Sequence, residues 1–221
     1  MLYAVGDIHG QLDQLQELIR SLPLARHDQL FFVGDYVDRG PDSKGVVEFL
    51  VQLQEQYACT FLMGNHEGMF LSFLGWQGPA YFGAEAFLHN GGETTLESYG
   101  YFESGGEFRL PEAHERFFRS LKLWHIEGEY AFVHAGISRE SLRLSDIKYA
   151  LSKESPRDLL WQRSTADLPH SLGVTIIYGH TPMPDMQVRW NLPYSIGIDT
   201  GAVYGGALSA IRLPDETLFQ V

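Results

Sequence analysis

Aspartate, histidine, asparagine and arginine gather in five short clusters: Gly6-Asp7-Ile8-His9-Gly10, Gly34-Asp35-Tyr36-Val37-Asp38-Arg39-Gly40, Gly64-Asn65-His66-Glu67, Val133-His134-Ala135-Gly136 and Gly179-His180-Thr181-Pro182. Asp7 and His9 stand two apart, so in an extended segment both project to one side. A carboxylate beside an imidazole suits a borderline divalent cation. Asp35 brings two oxygens, one for each of two ions, and Asn65, His134 and His180 complete the second ion. This mixed oxygen and nitrogen set fits Mn²⁺, Fe²⁺ or Zn²⁺. A closed structural zinc site would favour several thiolates, and Cys59 is the only cysteine. Arg39 offers a planar, permanently charged fork for an oxyanion, with Arg163 of Leu160-Trp161-Gln162-Arg163 as a second and Asn65 beside them. His66 follows a ligand without being one; it is placed to protonate a leaving alkoxide, with Asp38 holding its other ring nitrogen. A pair of ions roughly 3.5–4 Å apart can hold a bridging hydroxide and clamp a phosphoryl group for in-line displacement. The chemistry within reach of this set is therefore phosphoester hydrolysis.

Each cluster alone has a plainer reading. Gly-Asp pairs are common in turns, where the carboxylate bonds the backbone. A single histidine is more often a surface or core group than a ligand, and that reading suits His27, His89, His114, His125 and His170. What distinguishes the five clusters is that they occur together and that elements capable of delivering them to one place precede them.

Residues 2–5 read as a strand, after which Leu12, Leu15, Leu18, Ile19 and Leu22 recur at helical spacing until Pro23. Residues 29–33 form a second strand. Pro41-Asp42-Ser43 then starts a helix whose buried face is Val46, Val47, Phe49, Leu50 and Leu53. Residues 59–63 form a third strand, leading to a helix that carries Met69, Phe70, Phe73 and Leu74. Strands in such a βαβ series run parallel, so Asp7, Asp35 and Asn65 are expected at one sheet edge, outside the carboxyl ends of the strands. Glycines and aromatics alternate through 75–122, with helical patterns near 84–88 and 112–121. We read this stretch as a helical excursion within a single domain spanning 1–221. Beyond it, 124–127 and 130–134 form a hairpin about Gly128, and 174–178, 194–198, 207–213 and 217–221 are expected to complete a second sheet.

Composition narrows the class. The 221 residues are long enough for a full core, and 44% of them are hydrophobic, a globular value. A net charge of -12 argues against a nucleic-acid-binding surface. No apolar run approaches the roughly 18 residues of a membrane span, and residues 1–5 lead straight into the first cluster without room for a signal peptide. One cysteine in an apolar run points to core packing and a reducing compartment. The expectation is a cytoplasmic enzyme without a membrane or nucleic-acid partner.

In order, the motifs GDIHG, GDYVDRG, GNHE, VHAG and GHTP resemble the phosphoprotein phosphatase family of metallophosphoesterases, and residues 197–206 resemble its bacterial and phage members. The resemblance implies an α/β metallo-dependent (calcineurin-like) phosphatase fold, two mixed β-sheets in a sandwich flanked by helices. It implies Asp7, His9 and Asp35 on one ion, and Asp35, Asn65, His134 and His180 on the other, with Mn²⁺ the usual activator. It further implies His66 as the acid, Asp38 as its partner, and Arg39 and Arg163 on phosphate. The Ser-Ala-Pro-Asn-Tyr-Cys loop of eukaryotic members is absent, so their regulatory-subunit and toxin recognition is not expected here.

By this resemblance the leading expectation is a serine/threonine, or dual-specificity, protein phosphatase acting on a phosphorylated protein or a small phosphoester. The alternative is a diadenosine-tetraphosphate hydrolase, a sister group that resembles this chain in most motifs. That group typically carries Asp at the position of Glu67, often lacks an acid at the position of Asp38, and has longer chains. A third possibility, a non-catalytic scaffold of the same fold, would be expected to have lost ligands or the acid; every position is filled here.

Overall fold

Four-residue apolar runs alternating with amphipathic helices build the first half of the chain. A computed structural model describes residues 1–105, 108–163 and 168–221; residues 106–107 of the glycine-rich excursion lie outside that range. β1 (Leu2–Val5), β2 (Gln29–Phe32) and β3 (Ala58–Phe61) are parallel neighbours joined by α1 (Leu12–Ser21) and α2 (Ser43–Leu53). Asp42 starts α2 as its N-cap, accepting the Gly45 N–H at 2.7 Å. α3 (Asn65–Phe73) leaves β3, and the excursion contributes α4 (Gly92–Ser98) and α5 (Glu112–Ser120). Then come β4 (Trp124–Glu127), β5 (Tyr130–Val133), α6 (Arg139–Leu142), α7 (Ile147–Lys153) and α8 (Pro156–Trp161). β6 (Thr175–Tyr178), β7 (Arg189–Asn191), β8 (Ser195–Gly197), β9 (Ser209–Leu213) and β10 (Thr217–Gln220) follow.

The strands form two mixed sheets, ordered β10-β9-β1-β2-β3 and β4-β5-β6-β8-β7. Side chains alternate between sheet faces. One face of each sheet meets the other: Ala4, Phe31 and Ile211 pack with Phe132, Ile177 and Ile196, and the Phe31 and Phe132 rings stack at 4.3 Å. The opposite faces meet helices. Tyr3, Val5, Leu30 and Phe32 pack against Leu15 and Leu18 of α1 and Val46, Val47 and Leu50 of α2. On the far side, Ala131, Val133 and Ile176 pack with Ile147, Ala150 and Leu151 of α7 and Leu159 of α8. This is the expected sandwich flanked by helices. Among the described residues, no helix is long and apolar enough to cross a membrane.

Three local readings differ from expectation. β9 and β10 belong to the first sheet rather than the second: β9 runs antiparallel to β1, pairing Leu2 with Leu213 and Val5 with Ala210. Alternation marks a strand but not its partner, and the open edge of β1 needs one. The helical pattern near 84–88 resolves into two 3₁₀ turns, Ala84–Ala86 and Leu88–Asn90, separated from their surroundings by Gly83 and Gly91 at φ 87° and 91°. Their hydrogen bonds run from residue i+3 back to residue i, Ala86 N–H to the Gly83 carbonyl at 2.9 Å and Asn90 N–H to the Phe87 carbonyl at 3.1 Å, the tighter 3₁₀ pattern. β7 and the short helices α6, α7 and α8 were not anticipated.

Candidate active site

The carboxyl ends of both sheets supply the clusters. Asp7 and His9 follow β1, Asp35 follows β2 and Asn65 opens α3 behind β3, while His134 and His180 follow β5 and β6 of the second sheet. All six side chains are buried. The backbone is bent hard to bring them together. Of the seven non-glycine residues with positive φ among the described residues, five are His9, Asp35, Asp38, Arg39 and His180. Such conformations cost on the order of 1–3 kcal/mol each and gather at functional sites. Glycines allow the close approaches: a Cβ at Gly64 would lie 2.0 Å from Asp35 Oδ1, and one at Gly179 2.0 Å from Asp7 Oδ1.

The donor atoms fit a cation. His134 Nδ1 donates to the Val33 carbonyl at 2.9 Å, so the Nε2 of the neutral ring carries a lone pair, and it faces Asp35 Oδ2 at 3.4 Å and Asn65 Oδ1 at 3.0 Å. His9 repeats the pattern, with Nδ1 on the Val37 carbonyl at 2.9 Å and Nε2 3.5 Å from Asp35 Oδ2. Burial lowers the pKa of all three imidazoles, to about 3 for His9 and about 2 for His180, and downward for His134. At His134 a neutral ring facing a carboxylate and an amide oxygen sets acceptor against acceptor, whereas His9 Nε2 also meets the Arg39 guanidinium. An amide flip would relieve the Asn65 contacts but not those to Asp35, whereas cations between the groups relieve all of them. Asp7 Oδ1 and His180 Nε2 are likewise buried without a hydrogen-bond partner among the described residues. Burial first, then Asp199 and Asp35, push the Asp7 carboxyl well above its ordinary range, a repulsion that nearby cations would remove.

The structure distinguishes the two oxygens of Asp35: Oδ1 accepts the His66 backbone N–H at 3.1 Å, and Oδ2 lies between His9 and His134. Among the described residues, two groups have ligating atoms within 4.8 Å of one another, His9 with Asp35 and His66, and Asp35 with His134 and His180. The first contains His66 in place of Asp7, which is instead tied to the second sheet by accepting the His180 N–H at 2.8 Å.

His66 Nδ1 lies 2.6 Å from Asp38 Oδ2, with both side chains buried. Thr95 of α4 donates to Asp38 Oδ1 at 2.6 Å, and the Asp38 N–H reaches Thr95 Oγ1 and Ser43 Oγ at 2.8 and 3.1 Å. The stretch 90–98 thereby acquires a role that its sequence did not show: it closes over Asp38 and fixes its carboxylate. Asn90 donates to the Ala86 carbonyl at 2.8 Å, a contact within the turn that precedes α4. The Gly91 carbonyl accepts the Arg39 N–H at 3.0 Å. Arg39 Nη1 lies 2.7 Å from His9 Nε2, and its guanidinium sits 5.5 Å from the Tyr204 ring centroid. Arg163 is exposed just beyond α8 and acts on His134, His180 and Asp199 through its charge.

Glu67 does unanticipated structural work. Its carboxylate accepts four backbone N–H groups, from Gly64 at 2.8 Å, Asp35 at 3.0 Å, Tyr36 at 2.7 Å and Val37 at 3.2 Å. Burial and Asp35 push its pKa up to about 8, while four converging donors favour the ionised form. Glu67→Gln would turn an NH₂ toward two of those N–H groups. We expect a loss of about 3 kcal/mol in unfolding free energy, measured by urea denaturation of the metal-free protein; an unchanged midpoint would show that the four bonds do not brace the loop.

Asp199, from the 197–206 stretch, was also missed as part of the site. It accepts the Gly201 N–H at 3.0 Å, and burial raises its pKa to about 6. The five remaining histidines fit their plain reading. His27 and His89 are exposed, His125 lies 3.6 Å from Glu127, and His170 donates to the Tyr194 carbonyl. His114 is a buried structural link between Tyr99 and Glu48, at 2.9 Å from each.

Comparison with known proteins places this geometry. The family described as calcineurin-like phosphoesterase matches residues 2–205. The chain is 29% identical over 97% of its length to the bis(5'-nucleosyl)-tetraphosphatase PrpE [asymmetrical] of Geobacillus sp. (strain WCH70), covering 91% of that protein. It is 30% identical over 96% of its length to the protein of the same name from Bacillus anthracis (strain CDC 684 / NRRL 3495), covering 89% of it. Among solved structures, the cold-active protein-tyrosine phosphatase of a psychrophilic Shewanella superposes with a TM-score of 0.63 at 20% identity, covering 99% of this chain and 79% of that one. That likeness is one of fold.

Proposed function

The chain belongs to the calcineurin-like phosphoesterase family and is a metal-dependent phosphoesterase, and within that family we propose that it hydrolyses dinucleoside tetraphosphates at a phosphoanhydride bond. The observation that carries this reading is likeness along the whole chain: relatives at 29% and 30% identity, both named as asymmetrical bis(5'-nucleosyl)-tetraphosphatases, match it over nearly their full length. Coverage of 91% and 89% of those relatives also weakens the length objection. The asymmetrical cut in their names would release a nucleoside triphosphate and a nucleoside monophosphate from the substrate.

Asp7, His9, Asp35, Asn65, His134 and His180 would hold two divalent cations, with Mn²⁺ the first to test. When bound, these supply charge neutralisation at the phosphoryl oxygens and activation of water near neutral pH. The chain's own groups do the rest. Arg39, held by Gly91 and flanked by Tyr204, presents its fork to the phosphate, and Arg163 adds positive charge from the rim. His66, with Nδ1 fixed on Asp38, presents its other ring nitrogen to the leaving oxygen.

One observation favours a second reading, hydrolysis of phosphoserine and phosphothreonine. The buried His66–Asp38–Thr95 relay is machinery for protonating a basic alkoxide, and an anhydride needs it less. Rates on diadenosine tetraphosphate and on a phosphoserine peptide, measured side by side with Mn²⁺, decide between the two. We expect kcat/KM for the dinucleotide to be at least about tenfold higher, equivalent to roughly 1.4 kcal/mol of transition-state binding. The reverse order would make the phosphomonoester reading the correct one.

A further inference from the structure

Trp161 ends α8 beside the candidate metal centre, its ring edge-on to His180 with centroids 6.1 Å apart. Its indole nitrogen is buried and finds no acceptor among the described residues. With Phe82, Gly83, Glu85, Ala86 and Arg157, it lines a cavity of about 620 Å³, within the range of roughly 300–1,000 Å³ that holds small organic ligands. The cavity is built onto the helix that carries the candidate acid. A Cβ at Gly68 of α3 would lie 2.7 Å from the Ala80 carbonyl oxygen, and one at Gly83 would lie 3.1 Å from Met69 Cγ. The 80–86 segment therefore rests on the same short helix whose first two residues are Asn65 and His66.

The lining has a particular chemistry. Two partly buried aromatic rings, Trp161 and Phe82, provide stacking surface, while exposed Arg157 and Glu85 place one donor group and one acceptor group at the rim. A flat ring carrying both acceptors and N–H donors satisfies that set. An extended peptide does not: the walls are the 3₁₀ turn Ala84–Ala86 with the two residues before it and helix α8, and Ala86 already spends its backbone N–H on the Gly83 carbonyl. Such walls offer no strand edge for a peptide to join.

We propose that this cavity is a nucleobase subsite, in which a purine of the substrate stacks on Trp161 and Phe82 with its edge toward Glu85 and Arg157 while its phosphates reach the metal centre. The assignment rests on the dinucleotide reading and adds the residues that recognise the base.

Titration calorimetry of the Mn²⁺-loaded protein with adenosine 5'-monophosphate and with ribose 5-phosphate tests it, because these probes share a phosphate and differ by the base. Adenosine monophosphate is expected to bind about tenfold more tightly, within the range of base–aromatic stacking. Trp161→Ala should erase that difference and Trp161→Phe should keep most of it. Phe82→Ala, which leaves the His180 neighbour in place, should reduce it as well and stands in if Trp161→Ala fails to fold. Equal affinities in the wild-type protein overturn the subsite, as does a preference that is undiminished in the folded alanine variants. Failure of the dinucleotide reading has a different signature: the wild-type protein turns over the phosphoserine peptide but not diadenosine tetraphosphate. Loss of the subsite alone leaves dinucleotide hydrolysis in place with no preference for the base.

Discussion

His66→Asn is expected to lower turnover of a phosphoserine peptide by about 10²–10⁴-fold, the usual worth of a positioned general acid, with the bound metal content unchanged. The reason lies in the leaving group. A serine alkoxide is strongly basic and cannot depart without a proton, and His66 is the buried imidazole whose Nδ1 is held at 2.6 Å by Asp38. A nucleotide leaving from an anhydride departs as a phosphate whose last proton has a pKa near 6, so it needs no acid near neutral pH. On diadenosine tetraphosphate the same variant forfeits only a hydrogen bond to a charged group, about 1.5–3 kcal/mol or roughly 10–150-fold. Steady-state rates on both substrates, with metal content measured on the same samples, give the answer. Equal losses on the two substrates would show that His66 positions phosphate rather than moving a proton. Loss of metal would make it a ligand, a result that its grouping with His9 and Asp35 within 4.8 Å keeps in view.

The same contrast explains how Asp38 and Glu67 bear on substrate. Taken as sequence marks, both favoured monoester hydrolysis. In the folded chain, Glu67 braces the ends of β2 and β3 through four backbone N–H groups, a task indifferent to what is hydrolysed. Asp38 keeps its bearing on substrate because it touches the candidate acid, His66, directly. Of the two marks, only one concerns chemistry.

What could be read from the chain follows the range of each physical signal. Glycines at strand ends, apolar runs and helical spacing are local, and they placed Asp7, Asp35 and Asn65 at the ends of β1, β2 and β3. Partners far apart in sequence left no such trace. Thr95 meets Asp38 across 57 positions, and nothing in Gly91-Gly92-Glu93-Thr94-Thr95 announces that contact. β9 and β10 read clearly as strands, yet their pairing with β1 depends on an edge that only the folded sheet exposes. The two oxygens of Asp35 look equivalent in a sequence. They become distinct once the His66 N–H claims Oδ1.

That distinction shapes the other large expected effect. Asp35→Asn should abolish binding of both cations together and lower activity on any phosphoester by at least about 10⁴-fold, more than the loss of a single acid. Asparagine keeps the shape and can still accept the His66 N–H through its oxygen, so the loop has no reason to collapse. What disappears is the negative oxygen lying 3.5 Å from His9 Nε2 and 3.4 Å from His134 Nε2. The atom left there is an amide nitrogen, which donates hydrogen bonds and cannot ligate. His180→Ala provides the contrast, because His180 groups with Asp35 and His134 and not with His9; it should release one cation and retain the other. Metal stoichiometry by elemental analysis after dialysis, paired with thermal unfolding to verify the fold, separates the outcomes. Two cations retained in Asp35→Asn would mean that Oδ2 bridges nothing. A single cation lost, as in His180→Ala, would assign Asp35 to one ion and leave the other to Asp7, whose unpartnered Oδ1 then becomes the ligand to replace next.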